Sequence, residues 1–424
     1  MLLVSAAFFV GYDDSILGLL LPNIQSSFHA SDTLLGAIRI PIQVGAFAAF
    51  FVARLCDRVG RRKVMVWSIV GFIVFTTLTA ISWDIWSFTV FQVGSGLFLG
   101  AEYSVALTMV VEEFPTERRG RALGVLLAFE ALGTVGVGVL LAAGFENSSL
   151  SWRGFYLVGL LPLIVVAVMR RHLRETRRYL TVVRQHPGIE REPFLAPWQS
   201  SWRGPLVLVG IILFLSALPS AAATGWWAEY AEVERGLTSS QVGLYVIAAY
   251  LFGVIGYYCC GRLMERWGRR PTALTYGTCG LVAGILLFQT GAKLESLILL
   301  LLAVFFGLGI APVLGAFATE LFPTAVRGQS AAWLRNWFQV AGLGIGPALV
   351  GILGDPTSGA IGSIGATVSL LMLVWVPALW LIWRYIPETR GETLEQITAG
   401  GSPIHLGQDR ATSRPEVRSG EVAR

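Results

Sequence analysis

The sequence predicts an all-α membrane protein with twelve transmembrane helices in two pseudo-symmetric six-helix halves. Apolar residues make up 54% of the chain and charged residues 14%, against roughly 25% charged in a typical soluble domain. The charges lie in short clusters between apolar runs of about 20 residues, the length that crosses a hydrocarbon core. Backbone groups in lipid must be satisfied internally, so the runs are predicted to be helices. Buried strands of a soluble α/β core would be only about 4–8 residues long.

Twelve apolar spans can be placed along the chain. Those of the first half are 2–24, 34–53, 64–82, 85–110, 121–143 and 153–170. Those of the second half are 205–228, 240–261, 272–290, 295–318, 329–353 and 361–384. The predicted halves are therefore 1–170 and 205–386. The polar stretch 171–204, rich in Arg and Pro, is predicted to be a cytoplasmic linker. Residues 387–424 are predicted to be a cytoplasmic tail that is largely disordered.

Two polar motifs occur twice, in the same order and register. D-R-V-G-R-R at 57–62 returns as E-R-W-G-R-R at 265–270, each between the second and third span of its half. Glu112 with Arg119 returns at the same offset as Glu320 with Arg327. Two motifs in one register indicate that a half-protein was duplicated, and they identify which spans correspond.

The positive charges predict the orientation of the chain. When both termini are placed in the cytoplasm, most of the 32 Lys and Arg residues fall on cytoplasmic segments. Arg153, Arg235 and Lys293 fall on the opposite face, and Arg39 and Arg335 lie within spans. This bias follows the positive-inside rule, so a multi-pass protein of the plasma membrane is predicted. Few aromatic residues interleave with the basic clusters, which argues against nucleic-acid binding.

No enzyme chemistry or metal site is predicted. The four cysteines and four histidines are scattered without metal-ligand spacing, so the cysteines are expected to be packing residues and no cofactor is expected. No nucleophile–base pair or phosphate-binding loop is evident.

Several motifs, taken in order, resemble the major facilitator superfamily. R-L-C-D-R-V-G-R-R-K at 54–63 is similar to the G-x-x-x-D-R-x-G-R-R signature of that family. P-T-E-R-R-G-R at 115–121, R-E-T-R-R-Y-L at 174–180 and P-E-T-R-G-E-T-L-E at 387–395 resemble motifs of its sugar-porter and metabolite–proton symporter branch. The resemblance implies a monomeric carrier that binds a small solute between its halves and alternates access to the two sides. Its other expected partners are protons and the lipid bilayer.

The charged motifs predict a gate at the cytoplasmic ends of the helices. Exposed ion pairs contribute roughly 0–1 kcal/mol each, but a network of several can bias a rocking equilibrium. The alternative is that these charges only orient helices during insertion. The predicted gating residues are Asp57, Arg58, Gly60, Arg61, Arg62, Glu112, Arg119, Glu175, Arg178, Glu265, Arg266, Gly268, Arg269, Arg270, Glu320, Arg327, Glu388 and Arg390.

Four carboxylates within spans are candidate proton carriers, because an ionisable group inside a membrane is costly and usually functional. Asp13 lies near the middle of the first span, and Asp14 is rotated about 100° from it, so only one should face the centre, and Asp13 is the favoured proton carrier. The segment around them resembles the D-G-F/Y-D of aromatic-acid symporters, in which Asp13 takes the place of the second Asp. Glu130 and Glu102 are the other candidates, with helix pairing or a salt bridge as the structural alternative.

A solute site is predicted from polar and aromatic side chains within the spans. Most of the fourteen Trp residues should belong to the interface belt or to packing. The candidate solute-binding residues are Asp13, Arg39, Gln43, Gln92, Trp226, Trp227, Trp333, Arg335, Asn336, Trp337 and Gln339. Gln92 and Gln339 stand where the resembling organic-acid symporters carry Arg, and both Arg39 and Arg335 are near enough to a span end to reach water.

The predicted function is secondary active transport of a small polar metabolite, with an organic acid as one candidate, by proton symport. The seventh span lacks the Q-Q-x-S-G of sugar porters, and the fifth lacks the Gly-Pro of drug antiporters. The alternatives are a proton-independent facilitator for a sugar-like solute and, less favoured, a nutrient sensor without transport.

Overall fold

The computed structural model describes residues 4–113, 116–170, 195–199, 202–291, 293–391 and 404. Every regular element in these ranges is helical, and the helices form the twelve-helix, two-half architecture that the sequence predicts. Of the predicted linker 171–204, residues 171–194, 200 and 201 lie outside the described residues, as does the predicted tail from 392 onward apart from residue 404.

Each predicted span corresponds to one helix or to a run of consecutive helical segments. The first half contains α1 (Val4–Leu19 and Leu21–Phe28), α2 (Asp32–Ala37 and Arg39–Val59), α3 (Arg61–Ala80), α4 (Ile85–Glu113), α5 (Thr116–Ala142) and α6 (Ser151–Arg170). The second half contains α7 (Arg203–Glu229 and Tyr230–Glu234), α8 (Ser239–Arg266), α9 (Arg269–Gln289), α10 (Lys293–Gly309 and Ala311–Glu320), α11 (Thr324–Trp333, Leu334–Gln339 and Val340–Gly354) and α12 (Ile364–Met372 and Trp375–Tyr385).

The helices have the length and surface of membrane spans. Within the part of the chain that the structure describes, ten are long and apolar enough to cross a bilayer by length and composition, and α4, at 29 residues, exceeds the length that crossing needs. Large apolar side chains face outward, including Trp83 at 74% exposure, Leu294 at 69% and Leu161 at 68%. A soluble monomer rarely exposes so much apolar surface. The protein therefore spans the membrane several times.

The repeated motifs form matching tight turns at one end of the bundle. Gly60 precedes α3 with φ of 100°, and Gly268 precedes α9 with φ of 106°. An L-residue with a side chain rarely adopts this conformation, which is why both copies need glycine here. We call this end of the bundle, with the Gly60 and Gly268 turns, the motif end.

At the opposite end of the bundle, α2 and α11 bring the two halves into contact. The Cα of Gly351 would lie 2.8 Å from a Cβ added at Gly36, so only glycine permits this approach. The Thr33 hydroxyl donates to Asp355 Oδ2 at 2.8 Å, and the Thr33 amide donates to the same oxygen at 3.2 Å. Hydrogen bonds from Thr357, and then from Thr33, hold the pKa of Asp355 well below its usual range. The carboxylate is therefore ionised at neutral pH and holds the halves together at this end.

Candidate functional site between the two halves

The first helix and α5 pack closely enough to bring their acidic residues side by side. A Cβ added at Gly11 would overlap the backbone carbonyl of Glu130. Ser15 Oγ donates to Thr134 Oγ1 at 2.6 Å, and Thr134 Oγ1 donates to the Gly11 carbonyl at 3.2 Å. Small residues on both helices thus permit the contact, and hydroxyl groups fix it.

The two neighbouring aspartates have opposite environments. Asp13 is only 6% exposed, and Ser95 Oγ of α4 donates to its Oδ2 at 3.4 Å. Asp14 is exposed and lies near enough to Glu130 and Arg39 to interact with both electrostatically. Asp14 therefore lies on the side of α1 that is near Glu130 and Arg39, and Asp13 packs against α4.

A carboxylate and a guanidinium from different halves meet at one tyrosine. Tyr103 of α4 donates its hydroxyl to Glu130 Oε2 at 2.9 Å. The guanidinium carbon of Arg335, on α11, lies 4.4 Å from the centroid of the Tyr103 ring, within the range of a cation–π interaction. Arg335 and Glu130 also interact electrostatically. Arg335 is exposed and does not reach out to the membrane surface, because it turns inward to this contact.

The second arginine within a span also lies between the halves. Arg39 Nη2 donates to the Leu17 carbonyl at 3.0 Å and to the Gly225 carbonyl of α7 at 3.3 Å. Leu17 is in the last turn of its helical segment, where carbonyls lack intrahelical partners. We call the five residues Asp14, Arg39, Tyr103, Glu130 and Arg335 the central cluster. It contains two carboxylates and two guanidinium groups, so its formal charges balance.

A change of helical pitch places Arg335 at this contact. Residues Leu334–Gln339 form a π-helical turn within α11, a distortion that occurs frequently at functional sites. The rings of Trp333 and Trp337 on this helix are 4.2 Å apart, so they share a face as their spacing predicts. The Trp337 ring also lies 4.0 Å from the Phe47 ring of α2, which makes a further contact between the halves.

The other predicted site residues occupy mixed environments. Trp226 is fully buried and donates its indole N–H to the Pro347 carbonyl at 2.9 Å, a packing contact within the second half. Glu102 is fully buried, and Gln92 donates to Thr79 Oγ1 at 3.4 Å. Asn336 donates to the Ala332 carbonyl at 3.1 Å. Trp227 is only 4% exposed, and Gln43 and Gln339 are half-buried.

The gating residues of the second half form a network at the motif end. Arg269 donates from Nε and Nη2 to the two carboxylate oxygens of Glu320, both at 3.1 Å. The carboxylate of Glu388 accepts from the backbone amides of Arg269 at 2.9 Å and Arg270 at 3.0 Å, and thereby caps α9. Arg327 donates to the Thr319 carbonyl at 2.9 Å. These contacts join α9, α10, α11 and the segment that follows α12 within one half.

The corresponding residues of the first half are only partly visible. Arg62 is exposed. Three gating residues of the second half are exposed as well: Glu265, Arg266 and Arg390. Glu175 and Arg178 lie outside the described residues, as do the side chains of Asp57, Arg58, Arg61, Glu112 and Arg119. Contacts across the motif end therefore stay predictions.

Sequence reasoning missed the tyrosines of this region. Tyr103 bridges Glu130 and Arg335, and Tyr250 of α8 interacts electrostatically with Glu130 and Asp14. The only signal for Tyr103 was its position directly after Glu102 in the G-A-E-Y segment. Within the part of the chain that the structure describes, no group of three or more His, Cys, Asp or Glu residues is arranged to hold a metal ion.

Comparisons with known proteins agree with this architecture. The sequence model of the Major Facilitator Superfamily matches residues 3–343 and 209–416. The chain is 25% identical to the cis,cis-muconate transport protein of Acinetobacter baylyi, over 88% of this chain and 91% of that protein. It is 26% identical to the gallate transporter of Pseudomonas putida, over 87% and 86% respectively. The inward-open xylose transporter XylE of E. coli superposes with a TM-score of 0.74 at 16% identity, over 95% of this chain and 98% of that one.

Proposed function

Because this chain belongs to the Major Facilitator Superfamily, whose members are transporters and not enzymes, we propose that it carries a small organic acid across the plasma membrane together with a proton. The observation that carries this proposal is the contact of Glu130 and Arg335 at Tyr103 across the two halves. It places a proton acceptor beside a cation that can bind an anionic solute.

The charge balance of the central cluster supports coupling. Two carboxylates face two guanidinium groups, so a bound carboxylate adds one negative charge to a region where charge is costly. A proton on Glu130 cancels that charge and also releases Arg335 from its electrostatic partner. Arg335 can then bind the solute carboxylate through the planar fork of its guanidinium group. Release of the solute and the proton returns Arg335 to Glu130.

The choice of an organic acid rests on the cations and on the relatives. Arg39 and Arg335 both lie in the central cluster, whereas a neutral sugar needs no cation. The relatives named for muconate and gallate transport, both carboxylates, support the same class. We do not favour the sugar-like facilitator or the sensor, because no feature of the site requires either one.

We further propose that the motif end faces the cytoplasm, as do both termini. The Thr33–Asp355 contact would then close the outer side, and the charged networks at the motif end would close the inner side in the alternate state. Cysteines placed singly at Asn147, which is exposed, and at Gln185, in a background without native cysteines, test this orientation. A membrane-impermeant reagent added to intact cells should label position 147 and not position 185. Labelling of position 185 would reverse the proposed orientation.

Purified protein in proteoliposomes tests the coupling. With the outside more acidic by one pH unit, we expect a transported carboxylate such as muconate or gallate to accumulate up to about tenfold, since one proton per solute supplies about 1.4 kcal/mol. A protonophore should abolish the accumulation. Equilibration without accumulation, unchanged by the protonophore, would instead identify a facilitator.

A further inference from the structure

The second half contains a cavity next to the central cluster. A cavity of about 110 Å³ lies between α7, α8, α9, α10 and α12, and Leu19 of α1 is the one lining residue from the first half among the described residues. Its walls include Trp227, Tyr276, Phe288 and Trp375. We call it the side cavity. It extends into the core of one half and is distinct from the contact between Glu130 and Arg335.

The side cavity offers few hydrogen-bonding groups to a solute. Three lining hydroxyls already donate to backbone carbonyls: Ser220 to Ser216 at 2.9 Å, Thr224 to Ser220 at 3.0 Å and Tyr276 to Gly256 at 3.2 Å. A polyol placed here would lose hydrogen bonds to water without replacing them, which costs roughly 1–3 kcal/mol for each unsatisfied group. The walls therefore favour hydrocarbon over sugar.

Two lining residues connect the side cavity to the central cluster. Tyr250 lines the cavity and also interacts electrostatically with Glu130 and Asp14. Thr224, another lining residue, is exposed and directly precedes Gly225, whose carbonyl accepts a hydrogen bond from Arg39 of the central cluster. One molecule can therefore place a polar group at the cluster and an apolar part in the cavity.

The size of the cavity limits what it can accept. An apolar protein cavity of about 150 Å³ binds benzene, so a cavity of similar order holds about one six-membered ring. We propose that the side cavity binds a single apolar ring of the transported acid while its carboxylate stays at the central cluster. This assignment rests on the proposed function and specifies its solute as a monocyclic acid.

Substitutions on the face of α10 that lines the side cavity test this proposal. Leu300, Ala303, Val304 and Gly307 share one helical face and all line the cavity. Ala303→Leu should fill it. Gly307→Leu is a second filling variant, because a Cβ at Gly307 would meet no atom within 4 Å. Leu302→Phe enlarges a side chain on the same helix that is 38% exposed and does not line the cavity, and it serves as the matched control.

Binding of benzoate, cyclohexanecarboxylate, acetate and xylose to the purified protein is then measured by calorimetry. We expect the two ring acids to bind at least about tenfold more tightly than acetate, and xylose not to bind. Either filling variant should weaken ring-acid binding about tenfold or more and leave acetate binding unchanged. The control should match the wild type.

Ring-acid binding that is unchanged in both filling variants would overturn the proposal. The proposal would also be overturned if the cavity held only lipid or detergent and benzoate did not displace it. These outcomes concern binding alone, so they can be separated from a failure of proton coupling, which the proteoliposome experiment detects. Equal melting temperatures of the variants and the control exclude misfolding as the cause of lost binding.

Discussion

Glu130→Gln is expected to abolish proton-driven accumulation of the solute while solute exchange across the membrane continues. Glutamine keeps the size of the side chain and its acceptor for the Tyr103 hydroxyl, but it cannot carry a proton. Arg335 would then be permanently released, so binding and rocking should persist without coupling. Accumulation should fall from up to about tenfold per pH unit to equilibration, whereas counterflow should stay within about twofold of the wild type. Both are measured in proteoliposomes with labelled solute.

The variants Asp13→Asn and Asp14→Asn distinguish Glu130 from the other two candidate proton carriers nearby. Asp14 faces the same space as Glu130 and is the second candidate carrier, whereas Asp13 is buried against Ser95. We expect Asp13→Asn to retain accumulation. The assignment made from the sequence predicts the opposite, with loss of accumulation in Asp13→Asn. Full accumulation in a variant with both Glu130→Gln and Asp14→Asn would exclude both candidates and favour a carrier elsewhere or a facilitator.

Arg335→Gln is expected to weaken solute binding about 10- to 100-fold. A hydrogen bond to a charged group contributes about 1.5–3 kcal/mol, and each 1.4 kcal/mol is a factor of ten in affinity. The loss should be larger for an acid than for its uncharged amide, because the amide does not depend on the cation. Calorimetry with the acid and the amide as a pair measures this difference.

Arg335→Lys is the matched variant for this prediction. It keeps the positive charge but loses the planar fork and much of the contact with the Tyr103 ring. An intermediate affinity is therefore expected. If Arg335→Gln bound the acid as tightly as the wild type, Arg335 would have only a structural role between the halves. An equal loss for acid and amide would also contradict a contact with the carboxylate.

The helical spans were predictable because they depend on local composition and length. Lipid permits only helices for such runs, so the spans 85–110 and 240–261 appear within α4 and α8 with only their ends moved. The tight turns were predictable as well, since Gly60 and Gly268 recur at equivalent places in the repeat. The break between Leu19 and Leu21 and the π-helical turn at Leu334–Gln339 were not predicted, because they depend on packing against other helices.

The composition of the site was partly predictable, but its geometry was not. Charges within spans singled out Asp14, Arg39, Glu130 and Arg335, because each is costly in a membrane whatever its neighbours are. Which of Asp13 and Asp14 faces the centre depends on the rotation of α1, and the contact at Gly11 with α5 sets that rotation. A local sequence pattern does not determine how one helix packs against another.

The sequence by itself determined the twelve helices, their grouping into two related halves and the polar residues that the membrane would have to accommodate. Hydrophobic length, the positive-inside bias and the repeat are properties of the chain read in order. Only the tertiary structure decided that Tyr103 joins Glu130 to Arg335 and that a cavity opens beside them. Such contacts join residues far apart in sequence, and the rotation, tilt and pitch of whole helices set their distances.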